Sequence, residues 1–128
     1  MKYTVITKQL PNALELQRLF RQTSWANARS IEEIELLLQN TTTYVVIRDN
    51  DQLIGFGRAI SDGVYRAMLD DIVVDEDYRK KGVGKFIVKK LLDVLDGVEQ
   101  VFLNTKPDLE SYYEALGFSK TKGVTMHL

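Results

Sequence analysis

Gly82 and Gly84 flank a single residue in a stretch that also carries Arg79, Lys80, Lys81 and Lys85. Glycine lets backbone approach a ligand closely, and at the start of a helix unpaired N–H groups point outward. Surrounded by cations, such a turn has the chemistry of a phosphate or pyrophosphate site. It is neither of the two common nucleotide loops. The P-loop spacing and its terminal hydroxyl are missing, and Ile87 stands where a dinucleotide fingerprint needs its third glycine. Alone, a Gly-x-Gly before a helix is more often a helix entry with solvated lysines.

Three other features could do chemistry. Asp70 and Asp71 lie side by side in the apolar run Met68–Val74. Unpaired buried charge is costly there, so each carboxylate needs a cation or a proton-transfer role. In a regular strand they face opposite sides, and only a bulge would bring them together. A salt bridge to Arg58 or Arg66 is the structural alternative for either one. Tyr113 offers a phenol that stays protonated at neutral pH and can act as an acid, although its apolar stripe also suits a core aromatic. Trp25 is the only tryptophan; a lone Trp is more often core than pocket wall.

The elements that must position these groups follow from the apolar periodicity. Tyr3 to Thr7 reads as a strand, and Pro11-Asn12 opens a helix with Leu16, Leu19 and Phe20 on one face. Ser30-Ile31-Glu32-Glu33 is a capping box that starts a second helix through about Leu38. Thr43–Arg48, Leu53–Ile60 and Val64–Val74 form a three-stranded meander, turning at Asn50-Asp51 and Asp62-Gly63. After the glycine loop, Val83, Ile87, Leu91 and Leu95 mark a third helix that Gly97 ends. Val98–Leu103 is a strand, and Asp108 caps a last helix with Leu109, Tyr112, Tyr113 and Leu116 on one stripe. Phe118–Leu128 supplies one or two closing strands. The order βααβββαβαβ(β) predicts an α/β domain around a mixed, mostly antiparallel sheet, and residues 1–128 read as one domain.

Composition narrows the function classes. The net charge of −1 opposes bulk capture of nucleic acid or an anionic membrane, which needs a basic excess. One short basic cluster without interleaved aromatics makes a poor nucleic-acid surface. The chain has no cysteine and one histidine, His127, so a cysteine nucleophile is excluded and a histidine-based pair or metal site has little to build on. No metal is expected. The N-terminal ten residues lack the apolar run of a signal peptide, and the expectation is a soluble cytoplasmic domain.

Arg79-Lys80-Lys81-Gly82-Val83-Gly84 resembles the Arg/Gln-x-x-Gly-x-Gly/Ala signature of the GNAT superfamily of N-acetyltransferases. Tyr112-Tyr113-Glu114-Ala115-Leu116-Gly117-Phe118 resembles the family's second marker, an aromatic-Tyr-Glu run ending in Gly-Phe. The element order also agrees, so the resemblance spans nearly the whole chain. It implies acetyl-CoA as cosubstrate and no metal, with Arg79, Lys80, Lys81, Gly82, Val83, Gly84 and Lys85 around the pyrophosphate. It implies backbone pairing of the pantetheine arm with Ile72, Val73 and Val74, with a strand N–H polarising the thioester. Asn104 falls where members place a polar residue near that arm.

The resemblance further assigns Tyr113 as the acid that protonates the departing thiolate. Asp70 matches a strand position that some members use for a basic side chain, and Asp71 stays open beside it. Trp25 and Arg29, with Arg58 and Asp62, resemble the acceptor side of members acting on aralkylamines and related small amines. A primary amine of a small molecule is therefore the implied acceptor. A protein or peptide amine, or a non-catalytic acyl-CoA sensor, are the alternatives. Many members dimerise, though no residue here demonstrates a homodimer.

Overall fold

The computed structural model describes residues 2–128. Strand β1 (Thr4–Ile6) leads to helices α1 (Ala13–Phe20) and α2 (Ile31–Gln39). The meander β2 (Thr43–Asp49), β3 (Gln52–Ser61) and β4 (Arg66–Val74) follows, then α3 (Val83–Val94), β5 (Gln100–Phe102) and the short α4 (Glu110–Glu114). The five strands form one sheet in the order β1-β2-β3-β4-β5, antiparallel except for the parallel β4–β5 pair.

Local chemistry sets the helix starts. Asn12 and Ser30 each accept the N–H three residues on, while Glu15 and Glu33 reach back to the cap N–H, so both helices begin with a reciprocal capping box. Glu15 also binds Arg48 of β2 through both oxygens, at 2.9 and 2.7 Å, which fixes α1 against the sheet.

Helices cover both faces of the sheet. Leu16, Leu19, Phe20 and Ile34 pack with Val46, Phe56 and Val73 on one side. Val83, Ile87, Val88 and Leu91 of α3 pack with Val45, Ile47, Ile54 and Leu69 on the other. α3 comes so close that a Cβ at Gly57 would lie 2.5 Å from Ile87 Cγ2. The glycines of β3 are thus the hollow into which Ile87 fits.

Three expectations are corrected. No strand forms in Phe118–Leu128. Ser119 to Gly123 offers no apolar side chain to bury, and Val124, Met126 and Leu128 stay exposed off the sheet. Asp108 does not cap α4; it sits inside a 3₁₀ turn begun by Pro107, and Leu109 holds the cap position without a side-chain bond. β4 begins at Arg66 rather than Val64, because Asp62 Oδ1 accepts the N–H groups of Val64, Tyr65 and Arg66 and holds them in the turn.

Candidate active site

β4 carries one residue more than its partner strand. Arg58 pairs with Asp70 and Phe56 with Val73, so three steps on β4 answer two on β3. This is a β-bulge, and at its centre Asp71 has φ +52°. A left-handed non-glycine residue costs about 1–3 kcal/mol and persists only where its surroundings hold it. Here they do. Asp70 Oδ1 accepts the Asp71 N–H at 2.8 Å, and Asp71 Oδ2 accepts Arg58 Nε at 2.7 Å. Arg29 Nη1 lies 2.9 Å from Asp71 Oδ1. That last contact is an ion pair rather than an aligned hydrogen bond, for neither atom has a well-oriented partner.

The bulge puts both carboxylates within reach of Arg58, with unequal access to solvent. Asp70 has a side chain 40% exposed and 3.7 Å from Arg58 Nη2, whereas the Asp71 side chain is fully buried. Beyond the bulge β4 stands partly alone. Its parallel pairing with β5 covers Arg66, Ala67 and Met68, so among the described residues the edge of Ile72–Val74 turned away from β3 has no strand partner.

The free edge runs into the glycine loop. Asp75 accepts from Asp77 N–H, Arg18 and Gln22, and so ties the loop to α1. Tyr78 donates to Asp49 Oδ2 at 2.6 Å, and that hydrogen bond pushes its phenol up to about 12. Arg79 Nε donates to the Val74 carbonyl. Lys80 (φ +61°) and Gly82 (φ +85°) turn the chain back into α3. Gly82 is an N-cap without a side chain, and no acidic residue lies in the first turn, so the N–H groups there remain available to an anion.

A cleft of about 700 Å³ joins the free edge of β4 to the glycine loop, and neither Asp70 nor Asp71 is among the residues that line it. Trp25, Ile72, Val73, Val74, Arg79, Lys80, Gly82, Val83, Gly84 and Lys85 line it, together with Gln22, Thr23, Ser24, Tyr78, Lys106, Leu109 and Tyr112. Its volume falls within the range of small-molecule and cofactor sites. The strand edge, the uncapped helix and the cations are the donor set that a pantetheine–pyrophosphate chain requires. The residues therefore fit acetyl-CoA.

The other candidates lie off this wall. Lys81 sits over the Tyr78 ring at 5.6 Å. Arg29 stacks on Phe20 and Trp25 at 4.7 and 5.7 Å, behind the wall that Trp25 forms. Asp62 is engaged by its turn, and those N–H groups hold its carboxyl below the usual range. Asn104 is exposed and accepts a hydrogen bond from Thr125. Tyr113 packs edge-on against Tyr112 and Phe118 and lines a second hollow of about 510 Å³ beside β5. Burial raises both tyrosine phenols, so each stays protonated at neutral pH. Among the described residues no group of three His, Asp or Glu could hold a metal, and no helix is long and apolar enough to cross a membrane.

Two features of the cleft escaped the sequence. Tyr112 stands in the same aromatic marker as Tyr113, and only the helix orientation shows which of the two reaches the cleft. Gln22–Ser24 and Lys106 carry no motif; the fold alone brings them in.

Residues 10–118 match the acetyltransferase (GNAT) family, and the chain belongs to it. Ycf52 of Porphyra purpurea, described as an uncharacterized N-acetyltransferase, is 32% identical over 124 residues, covering 92% of this chain and 70% of that protein. GCN5-related N-acetyltransferase 1, chloroplastic, of Arabidopsis thaliana is 32% identical over 94 residues, covering 70% of this chain and 48% of that protein. The chain thus spans from just under half to just over two thirds of the length of these curated relatives. The crystal structure of SA2161 from methicillin-resistant Staphylococcus aureus, titled a probable acetyltransferase, superposes with a TM-score of 0.83 at 25% identity, covering 98% of each chain.

Proposed function

We propose that this chain transfers the acetyl group of acetyl-CoA to a primary amine of a small molecule, by direct attack while both substrates are bound. One observation carries the reading. The unpaired edge of Ile72–Val74 leads, within a single cleft, to the uncapped and cation-flanked N-terminus of α3. A pantetheine arm carries amides that can pair with a strand edge, and a pyrophosphate needs N–H donors and positive charge. Ile72, Val73 and Val74 would take the arm; Arg79, Lys80, Gly82, Val83, Gly84 and Lys85 would take the phosphates. The bound thioester supplies an activated acetyl group, and a β4 N–H beside its carbonyl would stabilise negative charge developing on oxygen.

The acceptor must lose a proton before it attacks, since an aliphatic ammonium has a pKa of about 10. Asp70 is the open carboxylate of the pair and is assigned this role. The proton for the departing thiolate is assigned to the tyrosine pair, with Tyr113 as the residue matching the family motif and Tyr112 as the one on the cleft wall. Trp25, half-exposed on the opposite wall, supplies an aromatic face that suits an amine on an aromatic or apolar scaffold.

The first measurement is the melting temperature with and without acetyl-CoA. At about a hundred times its dissociation constant the ligand stabilises the fold by roughly 2.7 kcal/mol, a shift of several degrees. Gly84→Val, whose side chain would meet the Tyr112 hydroxyl, should abolish the shift. Thiol release with a panel of small amines and peptides then identifies the acceptor, free of background because the chain has no cysteine. No shift at millimolar acetyl-CoA would remove the cofactor assignment. A shift without turnover on any amine would leave a binding protein.

A further inference from the structure

Arg29 touches two parts of the site that the sequence keeps far apart. Its Nη1 lies 2.9 Å from the buried Asp71 carboxylate at the centre of the β4 bulge. Its guanidinium also stacks 5.7 Å from the ring of Trp25, which lines the cleft on the side opposite α3. Arg29 is anchored in its loop as well, since its carbonyl accepts from Gln17 Nε2 at 3.2 Å. Asp71 receives Arg58 on its other oxygen, and that arginine comes from the neighbouring strand. One carboxylate thus gathers β3, the bulge of β4 and the loop between α1 and α2.

We propose that Asp71 is a positioning residue, which sets the bulge of β4 and, through Arg29, the placement of Trp25 on the acceptor side of the cleft. Its chemistry suits that role and not proton transfer. The carboxylate has no exposed surface, and both oxygens face guanidinium groups. A proton acceptor needs a path to the acceptor amine, and Asp71 is closed off on every side. The ion pair with Arg29 lacks hydrogen-bond alignment. The contact therefore holds the loop by charge and stacking. The inference rests on the proposed cleft, but the coupling exists in the free protein and can be read without any substrate.

Trp25 is the only tryptophan, so intrinsic emission reports the loop directly. Asp71→Asn preserves shape and tolerates the left-handed backbone while removing the charge that holds Arg29. We expect a shifted Trp25 emission maximum and lower anisotropy in the free protein, together with a weakening of acetyl-CoA binding of at least threefold. Arg29→Gln should reproduce the emission change, and the double variant should show no further change. Because Arg29 is partly exposed, its variant keeps the test alive if Asp71→Asn fails to fold. Trp25 emission unchanged in Asp71→Asn, or additive changes in the double variant, would overturn the proposal. If instead the native protein does not bind acetyl-CoA, the cleft reading fails while the emission result still decides the coupling.

Discussion

Arg18 Nη1 lies 2.8 Å from Asp75 Oδ2, joining the last turn of α1 to the residue that opens the glycine loop. Burial alone would raise the Asp75 carboxyl, but the Asp77 N–H, Arg18 and Gln22 more than offset it, and the net shift is downward. A carboxylate lowered in the folded state adds stability above its unfolded pKa of about 3.9 and loses it as pH falls through the folded value. Urea midpoints measured from pH 6 downward should therefore fall below about pH 4 in the native chain, and less steeply in Asp75→Asn. At pH 7 Asp75→Ala should cost about 2 kcal/mol, since it removes the acceptor of the Asp77 N–H, Arg18 and Gln22 together.

Gly57 makes a second, independent prediction. The Cβ of Gly57→Ala would meet Ile87 Cγ2 at 2.5 Å, so the substitution overpacks the α3 face and should cost about 1–3 kcal/mol in thermal unfolding. Ile87→Ala removes the opposing methyl. Its penalty should be smaller in the Gly57→Ala background than in the native one, and strict additivity would exclude the clash.

The two tyrosines separate by kinetics. Tyr113→Phe should lower turnover at least tenfold with acetyl-CoA affinity unchanged, while Tyr112→Phe should leave turnover within a few-fold. The opposite pattern would transfer the acid role to Tyr112. Little change in either would remove the pair from the proton transfer.

Asp70 is tested by the pH–rate profile. Asp70→Asn should lower kcat at pH 7 at least tenfold and regain most of the loss as pH rises toward the acceptor's own pKa, about 10, where the free amine needs no base. A profile parallel to that of the native chain would exclude Asp70 as the base.

Much of this was legible in the sequence because it is local. The boxes at Asn12 and Ser30, the apolar stripe of α3 and the glycine loop each depend on residues within a few positions of one another. The adjacent aspartates were visible as an anomaly. Their different surroundings were not, because the bulge depends on Arg58 across the sheet and on Arg29 more than forty residues earlier. The closing strands failed for a related reason. Alternating Val124, Met126 and Leu128 reads as a strand, yet a strand needs a neighbour, and among the described residues the sheet ends at β5.

The brief ladder between β4 and β5 also predicts how the backbone exchanges its protons with solvent. Successive amides along a strand point to opposite edges, and past Met68 only one edge of β4 meets another strand. Deuterium should therefore enter this one strand unevenly, slowly where an amide faces β3 and quickly where it faces the cleft. A ligand lying along the open edge would slow the fast amides and leave the slow ones unchanged, so the strand itself would record, residue by residue, where that ligand runs.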